Sequence, residues 1–123
     1  MKEIKHSSGH GSLIYFTCDV GSERFFCWLN NYSDQAKENI KQLKKMGLEE
    51  VIVLSDLFVD DEAKNQGIGK GLLTDFLFNN QCKNVVLVAD AFGSNHVNLE
   101  SWYSRYGFKT VVGLIAGPLM VKS

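Results

Sequence analysis

The sequence has no long apolar run, no excess of one charge and few cysteines. A membrane-spanning helix needs about 20 consecutive apolar residues, whereas the longest candidate stretch, Val111 to Val121, contains two glycines and the only proline. The net charge is −1, from 13 Lys and Arg against 14 Asp and Glu. A dedicated nucleic-acid binder carries a strong basic excess or stripe. We therefore expect neither a membrane partner nor a nucleic-acid partner. The N-terminal stretch MKEIKHSSGHGS lacks the apolar core of a signal peptide, so a cytoplasmic location is expected.

Metal and disulfide chemistry find little support in the sequence. Cys18, Cys27 and Cys82 are odd in number and share no CxxC spacing, which is typical of reduced thiols that pack as small apolar side chains. His6 and His10 lie four residues apart, but the segment between them is too rich in Gly and Ser for a helix. We expect no metal site.

The length of 123 residues predicts a single domain, residues 1–123, of the α/β class. Apolar and β-branched runs predict strands, and apolar residues spaced three or four apart predict helices. The predicted strands are Lys2–Lys5, a hairpin of Ser12–Val20 and Arg24–Asn31, then Glu50–Val59, Val85–Ala91, Phe108–Val112 and Leu119–Lys122, with a flexible loop over residues 6–12. The predicted helices are Asp34–Met46, Gly67–Asn79 and His96–Tyr106.

A glycine-rich turn between the Glu50–Val59 strand and the next helix indicates an anion site. Gly67, Gly69 and Gly71 let a ligand approach the backbone closely, and the helix that follows offers free N–H groups to a phosphate. The spacing fits neither the dinucleotide-binding turn nor the Walker loop, because the position three after Gly69 is Leu72 and Lys70 is followed by glycine. A helix with an unusual start and no ligand is the alternative.

Two separate motifs lie in the second half of the sequence. Lys64, Gly67 and Gly69 follow a strand ending at Val59, and the block YSRYGF starts at Tyr103. The first resembles the acetyl-CoA motif of the GNAT superfamily of N-acetyltransferases, Gln/Arg-x-x-Gly-x-Gly/Ala, with lysine where Gln or Arg is usual. The second is similar to the Tyr-x-x-x-Gly-Phe block of the same family. The resemblance covers about residues 50–123. It implies a mixed, mostly antiparallel sheet with a central parallel splay, flanked by about three helices.

The first half of the chain fits the family less well. The family shows two helices before the acetyl-CoA motif, and the sequence predicts a hairpin and only one helix, Asp34–Met46, in that place. Because those two helices shape the acceptor pocket in the family, the resemblance says least about the identity of the acceptor substrate.

The resemblance also implies which residues bind acetyl-CoA, the co-substrate. Backbone groups at the end of the Glu50–Val59 strand would bond the pantetheine amides and polarise the acetyl carbonyl. The glycine-rich turn would hold the pyrophosphate through main-chain N–H groups, with Lys64 adding positive charge. The cofactor-binding residues implied are Leu57, Phe58, Val59, Lys64, Asn65, Gln66, Gly67, Ile68, Gly69, Lys70 and Asn98.

Two residues are expected to be catalytic. Tyr103 matches the family tyrosine that protonates the departing CoA thiolate, although it also lies at the edge of an apolar helical stripe and could be a core residue. An amine of pKa about 10.4 is neutral only about one part in 2,500 at pH 7, so a group must accept its proton. Asp56, on the thioester-bearing strand, is the first candidate for that base, and Asp90 is the second. Ser55 stands where a related form of the motif has an acid.

The predicted function is direct transfer of an acetyl group from acetyl-CoA to a primary amine, with no covalent enzyme intermediate. A CoA-binding but inactive module of the same fold, serving regulation or protein interaction, is the main alternative. An unrelated nucleotide-binding α/β protein is the third. A homodimer is possible, because exposed edge strands of this family often pair.

Overall fold

The computed structural model describes residues 3–59, 67–90 and 99–123. Within these ranges the chain forms six strands and four helices. The strands are β1 (Ile4–Ser8), β2 (Gly11–Asp19), β3 (Glu50–Val59), β4 (Val85–Val88), β5 (Lys109–Gly113) and β6 (Pro118–Lys122), and the helices are α1 (Glu23–Asn30), α2 (Ala36–Lys45), α3 (Ile68–Asn79) and α4 (Leu99–Ser104).

The six strands form one sheet in the order β1-β2-β3-β4-β6-β5. The pair β3 and β4 is parallel, and the other four pairs are antiparallel. A mixed, mostly antiparallel sheet with a central parallel pair is therefore confirmed. The described residues contain four helices, whereas about three were expected.

The extra helix is α1, which the sequence predicted as the second strand of a hairpin. Ser22 begins it as an N-cap, because its Oγ accepts a hydrogen bond from the Phe25 N–H at 3.2 Å. Phe25, Trp28 and Leu29 then face the core together, since residues spaced three and four apart lie on one side of a helix. The hairpin of Ser12–Val20 with Arg24–Asn31 is wrong, because the aromatic composition favoured a strand while the spacing and the cap favour a helix. Two helices thus precede β3.

The predicted loop over residues 6–12 is also wrong. β1 runs through His6 to Ser8 and pairs antiparallel with β2, from Ile4 opposite Tyr15 to Ser8 opposite Gly11. The turn contains Gly9 with φ of 52°, a backbone conformation that glycine adopts readily. Pairing with β2 holds a Ser- and His-rich segment extended despite its weak strand propensity.

The remaining elements agree with the sequence to within a few residues. β3 has the predicted bounds, α2 and α3 begin one or two residues later than predicted, and β4 ends at Val88. The predicted start of the helix at His96 lies outside the described residues.

The sheet separates two apolar cores. One lies under α1 and α2 and contains Phe16, Phe25 and Leu43. The other lies under α3 and α4 and contains Leu54, Leu73 and Phe108. β4 consists of Val, Val, Leu and Val because both of its faces are covered. None of the helices in the described ranges is long and apolar enough to cross a bilayer.

Candidate functional site

The parallel strands β3 and β4 separate soon after they meet. They pair only at Ile52 with Val85 and at Val53 with Val86, whereas β3 stays paired with β2 as far as Val59. Beyond Val53, β3 therefore has a strand partner on one edge only within the described residues. Its other edge carries backbone N–H and C=O groups that an extended ligand can bond as an added strand would.

A β-bulge lies in β3 where the gap opens. Leu54 stands opposite Tyr15 and Asp56 stands opposite Ile14, so Ser55 is an extra residue in β3. The Ser55 hydroxyl donates a hydrogen bond to the Ile14 carbonyl oxygen at 3.1 Å, which fixes the bulge.

The bulge changes which side chains face each helix layer. Ile52 and Leu54 belong to the core under α3 and α4, and Leu57 packs against that same core. With strict alternation from Leu54, an odd-numbered residue would point the other way. After the bulge, Asp56 and Phe58 therefore face the side of α1 and α2, and both are exposed. The bulge thus turns one candidate base toward the side where the first two helices lie.

The end of β3 lies against the start of α3. Leu57 and Val59 are half-buried, and Phe58 is 52% exposed. A Cβ placed on Gly69 would stand 3.3 Å from Val59 Cγ2, so glycine allows this close approach. The three predicted pantetheine-binding residues and the glycine-rich helix start are therefore neighbours.

The first turn of α3 leaves several backbone amides outside the intrahelical hydrogen bonds. Gly67 is the N-cap with φ of 78°, a left-handed conformation that glycine adopts without strain. The Gly71 N–H donates to the Gly67 carbonyl at 2.9 Å, so the amides of Ile68, Gly69 and Lys70 precede the first intrahelical bond. The first turn contains no acidic residue, and Lys70 is exposed. Lys64, Asn65, Gln66 and Asn98 lie outside the described residues.

Gly11 is a residue that the sequence analysis missed. A Cβ on Gly11 would stand 2.8 Å from the Phe58 carbonyl oxygen and 3.1 Å from side-chain atoms of both Ile68 and Leu72. β2, β3 and α3 therefore meet at this glycine. No local pattern in the sequence indicates the contact, because the residues come from three separate segments.

Tyr103 lies on α4 and is 8% exposed. Its ring centroid lies 5.0 Å from that of Trp102 and 5.6 Å from that of Phe108. Burial, and secondarily the negative charge of Asp56, raise the pKa of Tyr103 to about 12. The phenol is therefore protonated at neutral pH and able to donate, and Asp56 is near enough to act on it electrostatically.

Asp90, the second candidate base, follows β4 and is half-buried. The Ala89 N–H donates to the Pro118 carbonyl at 2.9 Å, which keeps the end of β4 beside β6. Asp56 follows Val53 by three residues and Asp90 follows Val86 by four. Both carboxylates therefore lie at the end of the sheet where β3 and β4 separate.

Tyr32, in the turn after α1, is the second residue that the sequence analysis missed. Burial raises the pKa of its phenol, and the negative charges of Asp90 and Asp56 raise it further. The charges of both candidate bases therefore act on the pKa of this phenol. Recognising α1 from the spacing of Phe25, Trp28 and Leu29 would have placed Tyr32 just beyond the end of a helix.

The described residues contain no group of three or more His, Cys, Asp or Glu side chains placed to hold a metal ion. All three cysteines are free thiols, with Cys18 buried and the other two exposed. Burial raises the pKa of the Cys18 thiol, which makes it less reactive.

The sequence of residues 22–115 matches the family model of the GNAT acetyltransferase domain. The chain therefore belongs to the GNAT acetyltransferases, the family that the two motifs indicated. No curated protein matches the sequence.

Solved structures of low sequence identity share the fold. A mosquito arylalkylamine N-acetyltransferase like 5b aligns with a TM-score of 0.63 at 12% identity, over 92% of this chain and 68% of that one. Naa50 of Arabidopsis thaliana, in complex with the bisubstrate analogue CoA-Ac-MVNAL, aligns with a TM-score of 0.57 at 14% identity, over 93% and 65%. A bacterial toxin aligns with a TM-score of 0.60 at 16% identity, over 92% of this chain but only 59% of its own.

Proposed function

We propose that this protein transfers an acetyl group from acetyl-CoA directly to a primary amine. The observation that carries the proposal is the gap between β3 and β4, which opens after Val53 and Val86 beside the glycine-started helix α3. An extended pantetheine chain fits such a gap, and a diphosphate fits such a helix start. The Arabidopsis relative of the same fold was solved with a CoA-containing analogue, which supports this use of the fold.

The acetyl-CoA contacts in this proposal are mostly main-chain contacts. Backbone groups of Leu57, Phe58 and Val59 would bond the pantetheine amides and polarise the thioester carbonyl. The pyrophosphate would lie on the first amides of α3. By resemblance to the family motif, Lys64, Asn65 and Gln66 would complete the turn and Asn98 would contact CoA.

In the chemical step, the neutral amine nitrogen attacks the thioester carbonyl carbon. The new C–N bond forms, the C–S bond breaks and its electron pair leaves with sulfur, while the N–H proton that the product amide does not keep passes to that sulfur through water. Tyr103 donates its phenolic hydrogen toward that sulfur. A phenol of pKa about 12 lies about 3.5 pH units above an ordinary thiol, so full proton transfer is uphill by about 5 kcal/mol. Tyr103 therefore acts mainly as a hydrogen-bond donor while charge develops on sulfur.

The amine must also lose a proton, and Asp56 is the proposed acceptor, directly or through a water molecule. At pH 7 the neutral form of a lysine-like amine costs about 4.6 kcal/mol. Asp56 lies on the strand that would carry the thioester, and it is exposed to an incoming amine. Asp90 is the second candidate for the base, at the same end of the sheet.

One observation favours the alternative of an inactive CoA-binding module. Tyr103 is 8% exposed and packs between aromatic rings, which is the environment of a core residue as much as of an acid. Binding and turnover therefore have to be measured separately.

Calorimetric titration with acetyl-CoA tests the binding half of the proposal. Gly69→Asp places a carboxylate at the proposed pyrophosphate site, and we expect it to weaken binding at least about a hundredfold. Gly113→Asp is the matched control, because a Cβ on Gly113 meets no atom within 4 Å and β5 lies at the far edge of the sheet. Equal affinity of both variants and the wild type would reject the pyrophosphate site.

Mass spectrometry of amine mixtures incubated with acetyl-CoA tests the transfer half. A new acetylamide that forms only with the folded protein supports the enzyme. Tight acetyl-CoA binding with no product from any primary amine would favour the inactive module.

A further inference from the structure

The chain path brings the turn between α1 and α2 to the end of the sheet where β3 and β4 separate. β2 ends at Asp19, opposite Glu50 at the start of β3, so α1 begins at the end of the sheet away from the gap. Its eight residues return along the sheet for about 12 Å. α2 then leads back to the start of β3. The turn that carries Tyr32 therefore lies near the ends of β3 and β4, where Asp56 and Asp90 are.

Packing holds Tyr32 in place. Its N–H donates to the Leu29 carbonyl at 2.9 Å, and its ring centroid lies 5.7 Å from that of Trp28. Its side chain is half-buried against the core under α1 and α2. A phenol fixed in this way can contact a ligand at the cost of little further ordering.

Two neighbours of Asp56 on its own face are apolar. Phe58 lies two residues further along β3 and is 52% exposed, and Ile14 stands opposite Asp56 on β2. This face therefore offers a carboxylate beside an exposed aromatic ring. Positive charge on a ligand would meet Asp56 and Asp90, and an apolar body would cover Phe58.

We infer that the acceptor is a primary amine that arrives as an ammonium ion on an apolar body, and that Tyr32 and Asp90 select it together with Asp56. This inference rests on the proposed acetyl transfer. The two carboxylates attract the ammonium group, and the same negative field repels an acceptor that carries its own carboxylate next to the amine. The ammonium then gives one proton to Asp56, directly or through water, and the neutral amine attacks as described above. The second N–H proton passes to the departing sulfur, so that CoA leaves as the thiol.

The test compares 2-phenylethylamine with phenylalanine at saturating acetyl-CoA. The two share the phenylethyl body and the primary amine, and they differ by one carboxylate. We expect kcat/KM to be at least about tenfold higher for the amine without the carboxylate, which corresponds to about 1.4 kcal/mol. Asp90→Asn should raise KM for 2-phenylethylamine about tenfold and change kcat less than about twofold, with Asp90→Glu restoring most of the loss. Tyr32→Phe should shift KM in the same direction.

Asp75→Asn is the matched control. Asp75 is exposed on α3, so the substitution removes the same charge at a position away from the site. Acetylation of both compounds with equal kcat/KM, unchanged by Asp90→Asn, would overturn the inference and leave the acetyl transfer standing. Failure to acetylate any primary amine, with acetyl-CoA binding intact, would overturn the proposed function and this inference with it.

Discussion

The carbonyl oxygen of Phe58 lies 2.8 Å from the point at which a side chain on Gly11 would begin. This contact joins the first long strand, the bulged end of β3 and, through Ile68 and Leu72, the first turn of α3. The glycine therefore helps to position the helix start at which a pyrophosphate is proposed to bind, although Gly11 itself lies more than 50 residues earlier in the chain.

Gly11→Ala should destabilise the fold and weaken acetyl-CoA binding together. The new methyl group would press on a backbone oxygen that cannot move without disturbing the pairing of β2 with β3. We expect a loss of about 1–3 kcal/mol in the free energy of unfolding, measured by urea denaturation, and a higher Kd for acetyl-CoA by calorimetry. Gly113→Ala, which adds the same methyl group in open space, should change both by little. A Gly11→Ala protein as stable and as tight-binding as the wild type would show that α3 does not depend on this contact.

How much of this architecture the sequence predicts depends on how local the signals are. β3, α3 and the family were predicted correctly because strand composition, helix periodicity and the glycine spacing all lie within short windows. α1 was missed because Phe25, Phe26 and Trp28 have strand propensity, while their burial on one side of a helix is decided by packing on the sheet.

The candidate site shows the same division. Tyr103 and Asp56 were singled out from motifs, and their roles remain predictions. Gly11 and Tyr32 could not be found in this way, because each matters through residues distant in sequence. The bulge at Ser55, which turns Asp56 away from the face of Leu54, is likewise visible only from the pairing of β3 with β2.

Tyr103→Phe should separate catalysis from packing. The substitution keeps the ring that contacts Trp102 and Phe108 and removes only the hydroxyl. We expect kcat for acetyl transfer to fall about 10²-fold or more, with acetyl-CoA affinity nearly unchanged. Tyr106→Phe makes the same chemical change in a ring 5.2 Å from Trp102 and should leave kcat within about twofold. Wild-type turnover in the Tyr103→Phe protein would assign Tyr103 to the core.

The raised pKa of Tyr103 also predicts an alkaline loss of stability. Its folded-state pKa of about 12 exceeds the unfolded value of about 10, so between these values the folded state binds more protons than the unfolded state. The free energy of unfolding should therefore be constant below pH 10, as far as this group is concerned, and fall by about 3 kcal/mol between pH 10 and 12. Urea denaturation at several pH values measures this. The Tyr103→Phe protein should lose less stability over that interval, and parallel curves for the two proteins would contradict the assignment.

Asp56→Asn should make acetyl transfer depend on the fraction of amine that is already neutral in solution. Without a carboxylate to accept the amine's proton, the variant must wait for amine that is already neutral in solution, and this fraction rises about tenfold per pH unit below the amine's pKa of about 10.4. We expect kcat/KM at pH 7 to fall by about 10²-fold and the deficit to shrink as pH is raised toward 10, while acetyl-CoA affinity stays near that of the wild type. Asp90→Asn, measured over the same pH range, should show its defect in KM and keep a wild-type pH profile. If instead the profile of Asp90→Asn becomes steep and that of Asp56→Asn does not, Asp90 is the base and Asp56 belongs to the binding of the ammonium group.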